Sequence, residues 1–271
     1  MPNHAENGAD HRILETLNRL NRGVITNGST DGMLRKILSA GTTLLPVAIC
    51  SLWRSDDSQT SDALRLEAVQ GANGRVAFPR TLQLPGSISQ RVMTAGRFQM
   101  VPDLAAETAA AEKTMAAQRG LKSLLCVPVV SDGHDPAGVL HCFTRVRYIF
   151  STMDIQVAEA LARQTGIVWH MAALRGETQR LREELKTRKQ VDRAKEILMG
   201  RRDMTAEDAY RWIQKRSMDS RRSMRAVAET IILSETTGHY TSIPHALDLL
   251  NKPPRKYNTI AGRASLVSPV G

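Results

Sequence analysis

The sequence predicts an α+β chain: an N-terminal antiparallel sheet flanked by helices, then a long helix and a small helical bundle. Three observations predict it. Short β-branched runs bounded by Gly, Pro, Asp and Ser recur up to about residue 146 and then cease. Thr152 to Met199 contains no proline and only Gly166 and Gly176 as interruptions. Positive charge is uneven: of the net +10, residues 1–174 carry +2, residues 175–234 carry +6, and the remainder +2. Such a concentration is the electrostatic footprint of a segment that meets a polyanion, or of a solvated helical face.

Each element has a local cause. Ile13 to Leu20 and Met33 to Leu45 have helical spacing, the second ending before Pro46. Val47 to Trp53 is β-branched and stopped by SDDSQTSD, and Ala63 to Val69 alternates up to Gly71, so both read as strands. A helix starts near Ser87 and closes at Gly96, and Asp103 caps another over LAAETAAAEKTMAAQ. Leu124 to Val130 and Gly138 to Val146 are strands joined by the turn-forming SDGHDPA. In the long helix Ile167, Leu174 and Leu181 repeat every seven residues, with Met171 and Leu185 at complementary positions and Gln164, Thr178 and Arg188 as imperfections. That seam has no partner on its own helix, so a homodimer is expected. Thr205 caps AEDAYRWIQKR, and Ser220 or Asp219 is expected to introduce RRSMRAVAETIIL. Three apolar stripes (Val191, Ala194, Leu198; Ala209, Ile213; Met224, Val227, Ala228, Ile231) would close a bundle. Beyond Gly238 a flexible tail is expected, with one short helix at His245 to Leu250.

Composition narrows the function. The longest nearly apolar run, Thr42 to Trp53, is too short to cross a bilayer, and the first residues do not read as a secretory signal. Cys50, Cys126 and Cys142 are odd in number and widely spaced, which fits a reducing cytoplasm better than a disulfide scaffold or zinc site. All three lie in apolar strand patterns, where cysteine acts as a small hydrophobe. His141 and Cys142 are neighbours on a strand, face opposite sides and cannot share a ligand. The sequence contains no CxxC, HExxH, P-loop or Rossmann glycine pattern, so no catalytic residue, metal or enzyme activity is expected. For the basic segment the candidate phosphate-binding residues, which the resemblance below makes RNA-binding ones, are Arg188 and Lys195, on one helical face, and Lys215, Arg216, Arg221, Arg222 and Arg225, around the joint between the last two helices. Tyr210 and Trp212 could stack on bases, but the expectation is that both are core.

Residues Arg188, Val191, Ala194–Lys195, Leu198–Met199, Ala209–Tyr210, Ser217–Met218 and Val227–Ala228 fall at spacings that resemble the ANTAR domain, an RNA-binding module of antitermination regulators. Glu196, Arg216 and Arg221 depart from its usual glycine, small residue and asparagine. Gly71, Pro85–Gly86–Ser87–Ile88, Val101–Pro102–Asp103–Leu104, Ser123, Val127–Pro128–Val129, Gly138–Val139–Leu140 and Phe150–Ser151 together resemble a GAF domain, a small-molecule sensor fold. The resemblances imply a GAF-like sensor over 11–150, a signalling coiled-coil helix over 151–187, an ANTAR bundle over 188–236 and a tail over 237–271. They imply a cytoplasmic, dimeric antiterminator that binds hairpins in nascent mRNA and answers to a small-molecule effector whose identity is unknown. A DNA-binding regulator, a redox or haem sensor and a Cys-dependent GAF enzyme are the alternatives.

Overall fold

The computed structural model describes residues 29–236, apart from 56–61, 75, 109–110, 132 and 134, and also Glu15. The helix expected over 13–20 (Glu15 apart), the short helix at 245–250 and the tail over 237–271 lie outside the described residues. The described residues fall into two compact units that divide between Gly176 and Glu177.

The first unit opens with helix α1 (Thr30–Leu44), capped by Ser29, whose side chain accepts the Gly32 N–H. Six strands follow: β1 (Ile49–Ser55), β2 (Ala63–Gly71), β3 (Thr81–Gln83), β4 (Gln99–Val101), β5 (Ser123–Val130) and β6 (Pro136–Thr144). They form one antiparallel sheet in the order β3-β2-β1-β6-β5-β4. The three-residue strands β3 and β4 were not foreseen; they are too short to show alternation and exist because a longer neighbour templates them. Helix α2 (Ile88–Ala95) runs from the Ser87 cap to a left-handed Gly96. The single helix expected after Asp103 is instead a 3₁₀ turn (Leu104–Ala106), capped by Asp103, and a separate helix α3 (Ala111–Ala117).

Strand alternation divides the core. On one face Cys50, Leu52, Leu125, Val127, Leu140 and Cys142 pack under α1 and the first part of the long helix α4 (Thr152–Arg202). On the other Ile49, Trp53, Leu124, Cys126, Val139 and Phe143 pack under α2 and α3. All three cysteines are free and buried.

The second unit holds the end of α4, then α5 (Ala206–Ser220), capped by Thr205, and α6 (Met224–Thr236). Val191, Ala194, Leu198, Ala209, Ile213, Val227, Ala228 and Ile231 are its core, the residues of the three stripes, with Met224 half-buried against them. The last helix does not begin at Ser220. Arg221 adopts a left-handed conformation (φ 53°) that ends α5, and Ser223 caps α6 by accepting the Ala226 N–H. Asp219 and Ser220 belong to α5.

Candidate functional site

The second unit carries most of the candidate residues. Arg188, Lys195 and Arg225 line a groove of about 600 Å³ together with Tyr210, Val191 and Met224. Lys215 and Arg216 lie in the last turns of α5, Arg221 ends it, and Arg222 follows; none of these four lines the groove. Their electrostatic states differ. Lys195 Nζ sits 3.1 Å from Asp192 Oδ1. Arg225 is bound twice, by Glu183 and, at 3.0 Å, by Glu229, whose carboxylate also accepts Gln190 Nε2 at 2.9 Å. Arg225 thereby ties α6 to α4, and its hydrogen bond holds the Glu229 carboxyl below the usual range. Arg188, Lys215, Arg216, Arg221 and Arg222 make no ion pair with a described residue.

The two aromatics part company. Trp212 is half-buried against the core, with the Arg202 guanidinium 5.1 Å above its ring. Tyr210 is 43% exposed and lines the groove, so the expectation that it is core does not hold. The physical reason is its phase. Ala209 and Ile213, four apart, already occupy the inward face of α5, and residue 210 is rotated about 100° from it.

In the first unit the structure assembles a polar cluster that sequence reasoning missed. Glu112 of α3 is fully buried and accepts the Ile88 and Ser89 N–H groups, at 3.1 and 2.8 Å, and the Ser89 hydroxyl at 2.7 Å. A carboxylate at the amino end of α2 is favoured by the free N–H groups and dipole there. Ser89 Oγ lies 2.9 Å from His141 Nε2. Because the single hydroxyl proton goes to Glu112, Nε2–H donates to Ser89, which leaves Nδ1 a buried acceptor with no partner among the described residues. Burial draws the His141 imidazole down to about 4, against the opposing pull of Glu112. Burial and Glu112 likewise push the Cys126 thiol up. The only sequence signal was one acidic residue inside an alanine run, which reads as solvent-facing. Cys50 and Cys142 meet on the opposite face, 3.9 Å apart at sulfur, where burial makes a poor nucleophile.

Above His141 the aromatic stack continues through Trp53 and Phe143 to Phe78. Phe78 lines a cleft of about 620 Å³ between β3 and α3, and Arg119 lies 4.7 Å over its ring while donating to the Ala77 and Met115 carbonyls. Among the described residues no cluster of three or more His, Cys, Asp or Glu is placed to hold a metal, and no helix is long and apolar enough to cross a membrane.

Both units match known families. The GAF domain model matches residues 28–170, just over half of the chain, and the ANTAR domain model matches residues 179–232. Over 68 residues the chain is 47% identical to the transcriptional regulatory protein PdtaR of Mycobacterium tuberculosis; the match covers 25% of this chain and 32% of PdtaR. The chain thus spans about a third of that relative's length. Among solved structures, the free methionine-R-sulfoxide reductase of Neisseria meningitidis aligns with a TM-score of 0.50 at 18% identity, covering 60% of this chain and 91% of that one. The bacteriophytochrome RpBphP3 of R. palustris aligns with a TM-score of 0.53 at 12% identity, covering 69% and 43%. At these identities the likeness concerns the fold of the sheet unit. The chain belongs to the GAF domain family, and its basic helical segment is an ANTAR domain.

Proposed function

We propose that this chain is a signal-responsive, RNA-binding transcription antiterminator and not an enzyme. In this reading residues 11–150 sense, 151–187 relay and 188–236 hold hairpins in nascent mRNA, so that an overlapping terminator stem cannot close. The observation that carries it is the set of cations with no ion pair to a described residue around the α5–α6 joint, Lys215, Arg216, Arg221 and Arg222, in a bundle whose family binds RNA. An unpaired guanidinium loses no protein partner when it takes up a phosphate, whereas Arg225 must first release a carboxylate. Lys195 and Arg188 extend the cationic surface along α4. The sensor half is read as taking a small-molecule effector in the cleft beside Phe78, whose volume suits one. The exposed seam Ile167, Leu174, Leu181 and Leu185 is read as the face of a homodimer.

Electrophoretic shifts of the full chain with hairpin RNA and with duplex DNA of matched length test the reading. Hairpin RNA should bind more tightly at every salt concentration, with an affinity that falls as salt rises. Equal or tighter binding to duplex DNA overturns it in favour of a DNA-binding regulator. Absorption spectra and mass analysis of the protein as purified test the sensor half, and a bound haem would replace the small-molecule effector by a redox centre.

A further inference from the structure

The groove beside Tyr210 does not have the lining that a tract of phosphates requires. Carboxylates alternate with its cations: Glu184 sits 3.4 Å from Arg180, Asp192 holds Lys195, and Glu183 holds Arg225. A run of phosphates would be repelled there. Arg188 alone among the groove's cations is free of an ion pair with a described residue, enough for one phosphate and no more. The floor is apolar, formed by Val191 and Met224, and one wall is the exposed ring of Tyr210. An aromatic wall, an apolar floor and carboxylates that accept hydrogen bonds from exocyclic amino groups match the needs of a nucleobase taken out of its stack.

Resting on the RNA-reading function above, we propose that this groove holds one unpaired nucleotide of an RNA loop. Its base stacks on Tyr210 and its phosphate meets Arg188, while the cations of the α5–α6 joint follow the stem. Tyr210 is then a specificity-determining residue, and Arg188 positions the nucleotide it stacks.

The test uses the full chain and a library of RNA hairpins with one constant stem and a randomised loop. The loop that the wild type enriches becomes the probe, which is then made with an abasic nucleotide at each loop position in turn. Tyr210→Leu should weaken binding of the intact probe by between about fivefold and a hundredfold. Tyr210→Phe should bind like the wild type, and both variants should keep the wild-type salt slope and melting temperature. One abasic position should cost the wild type the same factor and cost Tyr210→Leu nothing further. Binding of the intact probe by Tyr210→Leu within twofold of wild type overturns the inference, as do losses that simply multiply at every abasic position. If the wild type binds the hairpins but enriches no loop, this inference falls while the RNA-reading function stands; if it binds none of the hairpins, both fall.

Discussion

At the scale of single residues, His141 has an electrostatic consequence. Unfolded, its ring titrates near 6.5; folded, it resists protonation down to about 4. Between those values the unfolded chain binds the extra proton, so the stabilisation is complete above pH 6.5 and is lost as pH falls toward 4. It amounts to about 3 kcal/mol at most. Urea unfolding midpoints of the wild type should therefore drop between pH 7 and 4.5 more steeply than those of His141→Gln. Parallel curves for the two proteins would place the titration elsewhere. Arg221 poses a second residue-scale question, because a non-glycine residue in the left-handed region costs roughly 1 kcal/mol. Glycine there would relieve the strain but loosen the unfolded chain by a comparable amount. Arg221→Gly should thus melt at or slightly above the wild-type temperature while binding hairpin RNA more weakly, with a salt slope lower by about one. A variant that binds RNA normally removes Arg221 from the interface.

At the scale of elements, the long helix α4 changes its surroundings along its length. Val157, Ala158, Leu161, Ala162, Val168 and Trp169 bury one stripe on the sheet, and Val191, Ala194 and Leu198 bury another in the bundle. At Gly166 the backbone of α4 runs hard against the end of β5, since a Cβ at that position would collide with the Val130 carbonyl oxygen. Gly176, by contrast, has open space around it. Gly166→Ala should destabilise the sheet unit by about 1–3 kcal/mol, because backbone cannot yield as a side-chain tip can. Gly176→Ala should leave it unchanged or slightly more stable, as alanine favours helix. Thermal melts of the two variants side by side check this; equal melting temperatures would show that the contact at Val130 relaxes freely.

At the scale of the whole molecule, the proposed homodimer rests on the seam of α4. Ile167, Leu174, Leu181 and Leu185 are between 46% and 60% exposed, on a helix where other leucines are buried. Burying such leucines in a dimer contributes about 1.5–3 kcal/mol each. Leu174→Glu combined with Leu181→Glu should shift light scattering from dimer to monomer while circular dichroism stays native. The same variant should bind a single hairpin as well as wild type does, and lose the advantage of two hairpins in tandem that linked binding confers. An unchanged dimer in a folded double variant would move the interface to another surface.

The sequence by itself determined the elements whose cause is local or periodic. The caps Ser87 and Thr205, the Gly96 stop, the four longer strands and the three stripes of the bundle were all legible there, because 3.6- and 2-residue periods report directly which face is buried. So was the charge concentrated in residues 175–234. Only the tertiary structure decided the rest. Strands β3 and β4 exist through their neighbours, and the 3₁₀ turn breaks a run that propensity alone would make one helix. The cluster in which Ser89 links Glu112 to His141 joins residues up to 52 positions apart, and no local pattern marks it. Tyr210 shows the same limit: its helical phase could be counted along the chain, but the groove it lines forms only when α4, α5 and α6 contribute walls from three separate stretches of sequence.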